Sequence, residues 1–183
     1  MTPEIARQLI DAAGVDAALH RLATEIAAED EGDELLLVGI RRRGVQLAER
    51  LASILRDAGG VEVPTGSLDI TLYRDDFDQI GPRPLIGTTE IPGNINGLRV
   101  VIVDDVLYTG RTVRAALNEL ADFGRPRRVE LCVLVDRGGR ELPIQADYVG
   151  LSVDASARDL VEVRVPELDG MSSVTLVSAA RES

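Results

Sequence analysis

At 183 residues, 45% hydrophobic and 28% charged, the chain fits one globular domain, 1–183, long enough to bury a core. No apolar run approaches the roughly 20 residues that cross a bilayer, and the opening Met1-Thr2-Pro3-Glu4-Ile5 lacks the basic flank and apolar stretch of a signal peptide; a cytoplasmic location without membrane attachment is expected. A net charge of −11 argues against broad non-specific nucleic-acid binding, while one cysteine, one histidine and no lysine exclude an internal disulfide, a soft-ligand zinc centre and lysine-based covalent chemistry.

Thr2-Pro3-Glu4 reads as a helix start, with Thr as cap and Pro in the first turn. The spacing of Ile5, Leu9 and Ala13, then Leu19, Leu22 and Ile26, predicts one or two amphipathic helices divided at Gly14. Residues 35–40 read as a strand, 41–44 as a loop, and 45–58 as a helix closed by Gly59-Gly60. A strand over 61–71 is expected to break at Pro64-Thr65-Gly66. The stretch from Leu72 through Gly81-Pro82, Pro84 and Gly87 cannot be regular throughout, and an irregular segment of that length usually has a function.

A strand at 98–104, a helix at 112–123 and a strand at 129–136 follow. Short strands at 146–149, 160–165 and 174–177 close the chain. Alternating strands and helices predict a mainly parallel sheet with helices on both faces. Cys132, inside the mostly apolar 129–135 run, reads as a small core residue.

The run Val100-Val101-Ile102-Val103-Asp104-Asp105-Val106-Leu107-Tyr108-Thr109-Gly110-Arg111-Thr112 carries the most chemistry. A buried strand delivers two carboxylates to its carboxyl end and then a short loop to a helix start. Free N–H groups there and the helix dipole favour an anion; the carboxylates suit sugar hydroxyls. A phosphorylated ribose meets both demands. The same pattern also occurs at other phosphate or metal sites of α/β domains, and as a plain helix cap.

Three further loops add cations. Arg41-Arg42-Arg43, between Gly39-Ile40 and Gly44, follows a strand and suits a polyanion, because arginine forks onto phosphate oxygens. Arg74 lies in the irregular stretch, where a closing loop excludes water during reaction. Asp136-Arg137-Gly138-Gly139-Arg140-Glu141 is another irregular basic loop after a strand.

The segments Leu68-Asp69-Ile70-Thr71-Leu72-Tyr73-Arg74-Asp75-Asp76, Val103 through Thr112 as quoted, and Leu134-Val135-Asp136-Arg137-Gly138 together resemble the PyrR family. These are pyrimidine-operon regulators that are also uracil phosphoribosyltransferases. The resemblance implies an α/β type I phosphoribosyltransferase fold, with a central mainly parallel β-sheet flanked by helices and a small hood region. It implies transfer of phosphoribose from PRPP to uracil, giving UMP and pyrophosphate with Mg²⁺ bound mainly through PRPP and pyrophosphate and no direct protein metal ligand. A homodimer or higher homo-oligomer is expected, with the apolar faces of the first helices as an interface.

Carried onto this sequence, the family pattern makes Asp104, Asp105 and Arg74 catalytic. Asp104 and Asp105 would face the ribose hydroxyls and the charge developing at C1. Val106, Leu107, Tyr108, Thr109, Gly110, Arg111 and Thr112 would surround PRPP or UMP, with the 5′-phosphate on the Tyr108-to-Thr112 backbone and the Thr109 and Thr112 hydroxyls. Arg42 and Arg43 would contact pyrophosphate, Arg74 would close over it, and Arg137 with Val161 would frame uracil.

On the RNA side the resemblance points to His20, Arg21, Thr24 and Arg140, facing the leader RNA of a pyrimidine operon. Here the chain departs from the family. His20 and Thr24 stand where members typically have Thr and His, and Gly139, Gln145 and Leu151 stand in place of His, Arg and Lys. Each lost cation removes a phosphate contact and its counterion release. Three readings follow: a bifunctional enzyme and RNA-binding regulator, an enzyme that has lost specific RNA binding, and a regulator that senses nucleotides with poor turnover.

Overall fold

The computed structural model describes residues 4–70 and 88–179. Arg74, with the rest of 71–87, and the Thr2-Pro3 helix start lie outside the described residues. The elements run β1 (Glu4–Ile10), α1 (Ala12–Ala28), β2 (Leu35–Ile40), α2 (Arg43–Gly59), β3 (Thr65–Leu68), β4 (Arg99–Leu107), α3 (Arg111–Ala121), β5 (Arg128–Asp136), β6 (Tyr148–Ser152), β7 (Leu160–Arg164), α4 (Pro166–Asp169) and β8 (Ser173–Ala179). Five strands form a parallel sheet in the order β3-β2-β4-β5-β6. The small hood region is a separate antiparallel sheet, β1-β8-β7.

β4 is buried on both sides, and its alternation splits the core. Val101 and Val103 point to one face, with α1 residues Leu19, Leu22 and Ile26 and α2 residues Leu47 and Leu51. Val100 and Ile102 point to the other, with Val113, Ala116 and Leu120 of α3. A strand buried on both faces reads as a continuous apolar run, as Val100 to Val103 does. Cys132 joins the first of these clusters, and burial pushes its thiol up to about 12.

The start of the chain departs from the helical expectation. Residues 4–10 form β1, pairing Ile5 with Ser178 and Arg7 with Leu176. Spacing of Ile5 and Leu9 fits a helix locally, but a strand at the far end of the chain offers pairing that no local period registers. The helix begins after Asp11, whose Oδ1 accepts the Gly14 N–H at 2.9 Å. Gly14 therefore lies in the first turn of α1 and divides nothing. The apolar face of α1 is buried within the chain, so it is not the open interface expected of it.

Two strand boundaries also move. β3 begins at Thr65, inside the expected break, because Pro64 still supplies a carbonyl to Leu37 N–H at 3.1 Å and needs to donate nothing. β4 continues to Leu107, carrying both aspartates as part of the strand. The short α4 had no counterpart in the sequence reading.

Candidate active site

At the carboxyl ends of β4 and β5, where ligands of parallel α/β sheets sit, a cleft of about 400 Å³ opens. Asp104, Asp105, Val106, Leu107, Tyr108, Thr109, Gly110, Thr112, Arg137 and Val161 line it. All ten were singled out from the sequence. Arg111 is outside the lining; its Nε donates to Glu141 Oε2 at 2.9 Å.

The two carboxylates hold their own loop in shape. Asp104 is 6% exposed, and its Oδ1 accepts the Asp105 N–H at 2.9 Å. Asp105 Oδ1 accepts the Val106 N–H at 2.9 Å. Gly110 precedes α3, and the Thr109 Oγ accepts the N–H of Arg111, the first residue of that helix, at 3.2 Å. Its first-turn N–H groups have no intrahelical acceptor by construction, which with the dipole makes a seat for an anion.

Arg137 is held from three sides. Nη1 donates to the Asp159 carbonyl and Nη2 to the Ser156 carbonyl, both at 2.7 Å. Its guanidinium lies 3.8 Å over the Tyr108 ring, a favourable cation–π distance. The Asp159 carboxylate accepts the Ser156 N–H at 2.7 Å, which holds it below the usual carboxylate range and fixes the turn. Gly139 has φ +81°, and a Cβ there would lie 2.4 Å from Tyr108 Cε2. In this loop conformation the histidine that the family pattern expects would strain the backbone and displace the Tyr108 ring.

The three arginines after β2 have different surroundings. Arg41 donates to Ser67 Oγ at 3.1 Å. Arg43 forks onto Asp169 in the hood at 2.9 and 3.2 Å; this hydrogen bonding raises the arginine's pKa and lowers that of Asp169. Arg42 is exposed. The loop stays flush with the acidic pair because a Cβ on Gly44 would come within 2.4 Å of the Val103 carbonyl oxygen and 3.3 Å of Asp104 Cα.

Sequence reasoning missed Leu160 and Val113, which also line the cleft, and the Asp169 partner of Arg43. Leu160 is an end-of-strand residue 54% exposed, and nothing local marks it. Of the RNA-side residues, His20 and Thr24 are exposed on α1, the Thr24 hydroxyl donating to the His20 carbonyl at 3.0 Å. Arg21 donates to the Val149 and Gly150 carbonyls of β6 and to Glu25. Arg140 is committed to three acceptors, Asp136 and the Ile144 carbonyl nearby and the Tyr108 carbonyl on the loop after β4. Neither arginine presents a free fork.

Residues 7–167 match the family model of the phosphoribosyl transferase domain. Fold and site together define a phosphoribosyltransferase. The hypoxanthine phosphoribosyltransferase of Trypanosoma cruzi matches with a TM-score of 0.70 at 19% identity, covering 95% of this chain and 97% of that one; at that identity the likeness shows the fold alone. Much nearer in sequence is the bifunctional protein PyrR of Pelotomaculum thermopropionicum, 52% identical over 174 residues, 94% of this chain and 96% of that protein. Its namesake from Thermus thermophilus is 54% identical over 170 residues, 92% and 94% of the two chains. The chain belongs to the PyrR family, as its three motifs led us to expect.

Proposed function

We propose that this chain, working as one phosphoribosyltransferase domain in the cytoplasm, joins uracil to the phosphoribosyl group of PRPP, giving UMP and pyrophosphate. It also regulates a pyrimidine operon through UMP-dependent binding to leader RNA. The observation that carries the enzymatic half is the convergence of Asp104, Asp105, the 108–112 loop, Arg137 and Val161 on one cleft.

In the reaction the C1–oxygen bond to pyrophosphate breaks, a C1–N1 bond to uracil forms, and N1 gives up its proton. The carboxylates of Asp104 and Asp105 bind the ribose hydroxyls and lower the energy of positive charge at C1. Amides of Thr109 to Thr112 and the two threonine hydroxyls hold the 5′-phosphate. Arg42, Arg43 and Arg74 face the pyrophosphate, with Arg43 exchanging Asp169 for it. The fixed Arg137 loop and Val161 enclose the base. Holding both reactants in line supplies much of the rate.

Asp104 and Asp105 are hard oxygen donors that fit Mg²⁺. The ion would be carried mainly by PRPP and pyrophosphate. Bound so, Mg²⁺ would neutralise charge on the leaving pyrophosphate. A homodimer or larger homo-oligomer is the expected state, with its interface away from the inward face of α1.

The second reading, an enzyme without specific RNA binding, is favoured by Arg21 and Arg140 being engaged within the protein. Two assays test these proposals. Uracil-dependent release of pyrophosphate from PRPP, absent with hypoxanthine or orotate, supports the enzymatic reading; no release with uracil rejects it. Selective binding of the chain's own pyrimidine-operon leader over an unrelated RNA, tightened by UMP, supports the regulator. Equal affinity for both RNAs leaves the enzyme alone.

A further inference from the structure

The loop that follows Arg137 is bonded to the outer side of the phosphate loop at several points. Arg140 Nη1 donates to the Tyr108 carbonyl at 2.9 Å. The Glu141 and Leu142 N–H groups both donate to the Thr109 carbonyl, at 3.0 and 3.1 Å. Leu142 and Ile144 side chains pack at Gly110, and Glu141 pairs with Arg111.

Arg140 is itself held in one orientation. Its Nη2 donates to Asp136 Oδ2 at 2.6 Å and its Nε to the Ile144 carbonyl at 2.7 Å. Burial would raise the Asp136 carboxyl, yet hydrogen bonds from Arg140 and the Gly138 N–H hold it below its ordinary value. The pair therefore stays ionised. A planar guanidinium serves three acceptors in fixed directions, which an ammonium cannot.

A trans peptide is planar, with its C=O and following N–H pointing opposite ways. Drawing the Tyr108 and Thr109 carbonyls outward toward the 140–142 backbone and Arg140 thus turns the Thr109 and Gly110 N–H groups the other way, to the cleft side. Successive amides aimed at one point form an anion-binding concavity. We infer that Arg140 is a positioning residue for the 5′-phosphate of the bound nucleotide, acting through the Tyr108 carbonyl. This rests on the ribose-phosphate reading of the cleft.

The test compares UMP with uridine, which lacks the phosphate, by calorimetric titration of the full chain and of Arg140→Ala and Arg140→Lys. Wild type is expected to prefer UMP strongly. In Arg140→Ala, UMP affinity and the KM for PRPP worsen roughly tenfold, uridine affinity and the KM for uracil hold, and Arg140→Lys recovers only part of the loss. Equal weakening of UMP and uridine would indicate a merely structural role and overturn the inference. So would an Arg140→Ala chain that binds UMP as wild type does. Wild type binding UMP no better than uridine would instead remove the phosphate site itself, and the functional reading with it.

Discussion

Asp104 and Asp105 are neighbours with different tasks. Asp104 is nearly enclosed and shapes the backbone that follows it, whereas Asp105 is more open to the cleft. Asp105→Asn keeps the hydrogen bond to Val106 N–H but loses the charge that we propose faces C1. UMP formation should fall by roughly a hundredfold or more with the thermal midpoint unchanged; a wild-type rate would reject its role. Gly44→Ala should behave in the opposite manner. Its Cβ meets the Val103 carbonyl at 2.4 Å, so the backbone must move, at a cost of about 1–3 kcal/mol measurable by urea unfolding. Cys132 is 1% exposed with its thiol raised to about 12. Alkylation at pH 8 should therefore require unfolding, and rapid modification of the native chain would contradict its place in the core.

Elements are joined at the end of the sheet away from the cleft by a buried polar knot. Arg99 at the start of β4 donates to Glu130 of β5 at 2.6 Å, to the Ile26 carbonyl of α1 at 3.0 Å and to the Tyr148 hydroxyl of β6 at 2.8 Å. Tyr148 donates in turn to Glu130 at 2.8 Å. Burial pushes the Glu130 carboxyl up, but hydrogen bonds from Arg99 and Tyr148 bring it below the ordinary range. Its contribution to stability is thus complete above the usual glutamate value of about 4.3 and is lost as pH falls through the lowered folded value. The stability gap between wild type and Glu130→Gln should accordingly shrink on acidification below pH ~4. Arg99→Ala leaves the buried Glu130 carboxylate to Arg128 and Tyr148 alone and should lose about 1–3 kcal/mol at neutral pH. None of this knot was visible beforehand, since an Arg opening a strand and a Glu inside one look like ordinary surface residues. The motif-bearing strands were legible for the converse reason. A continuous apolar run ending in two acids has few other uses, and β2, β4 and β5 appeared within a few residues of their expected bounds.

For the whole molecule, net charge of −11 means that any RNA affinity must come from a local patch working against the global field. If leader binding exists, raising salt from about 50 to 200 mM should weaken it through phosphate contacts alone, while preference over an unrelated RNA persists. Loss of all preference would place the affinity in non-specific attraction. The hood links the chain's two ends across to the cleft, with Val161 and Leu160 on one wall and Asp169 reaching Arg43. Sequence alone determined the α/β order through short, local signals, an apolar strand, a charged turn, a helix start, while the resemblance of three motifs gave the family and, with it, such residues as Val161 among the ten of twelve lining the cleft that were named. Only the tertiary structure decided that the first segment is a strand, that Arg43 answers to Asp169, and that Arg140 bonds to the Tyr108 carbonyl of the loop after β4. Each of those outcomes depends on a partner distant along the chain or on the direction of a carbonyl, and no pattern of side chains in sequence encodes either.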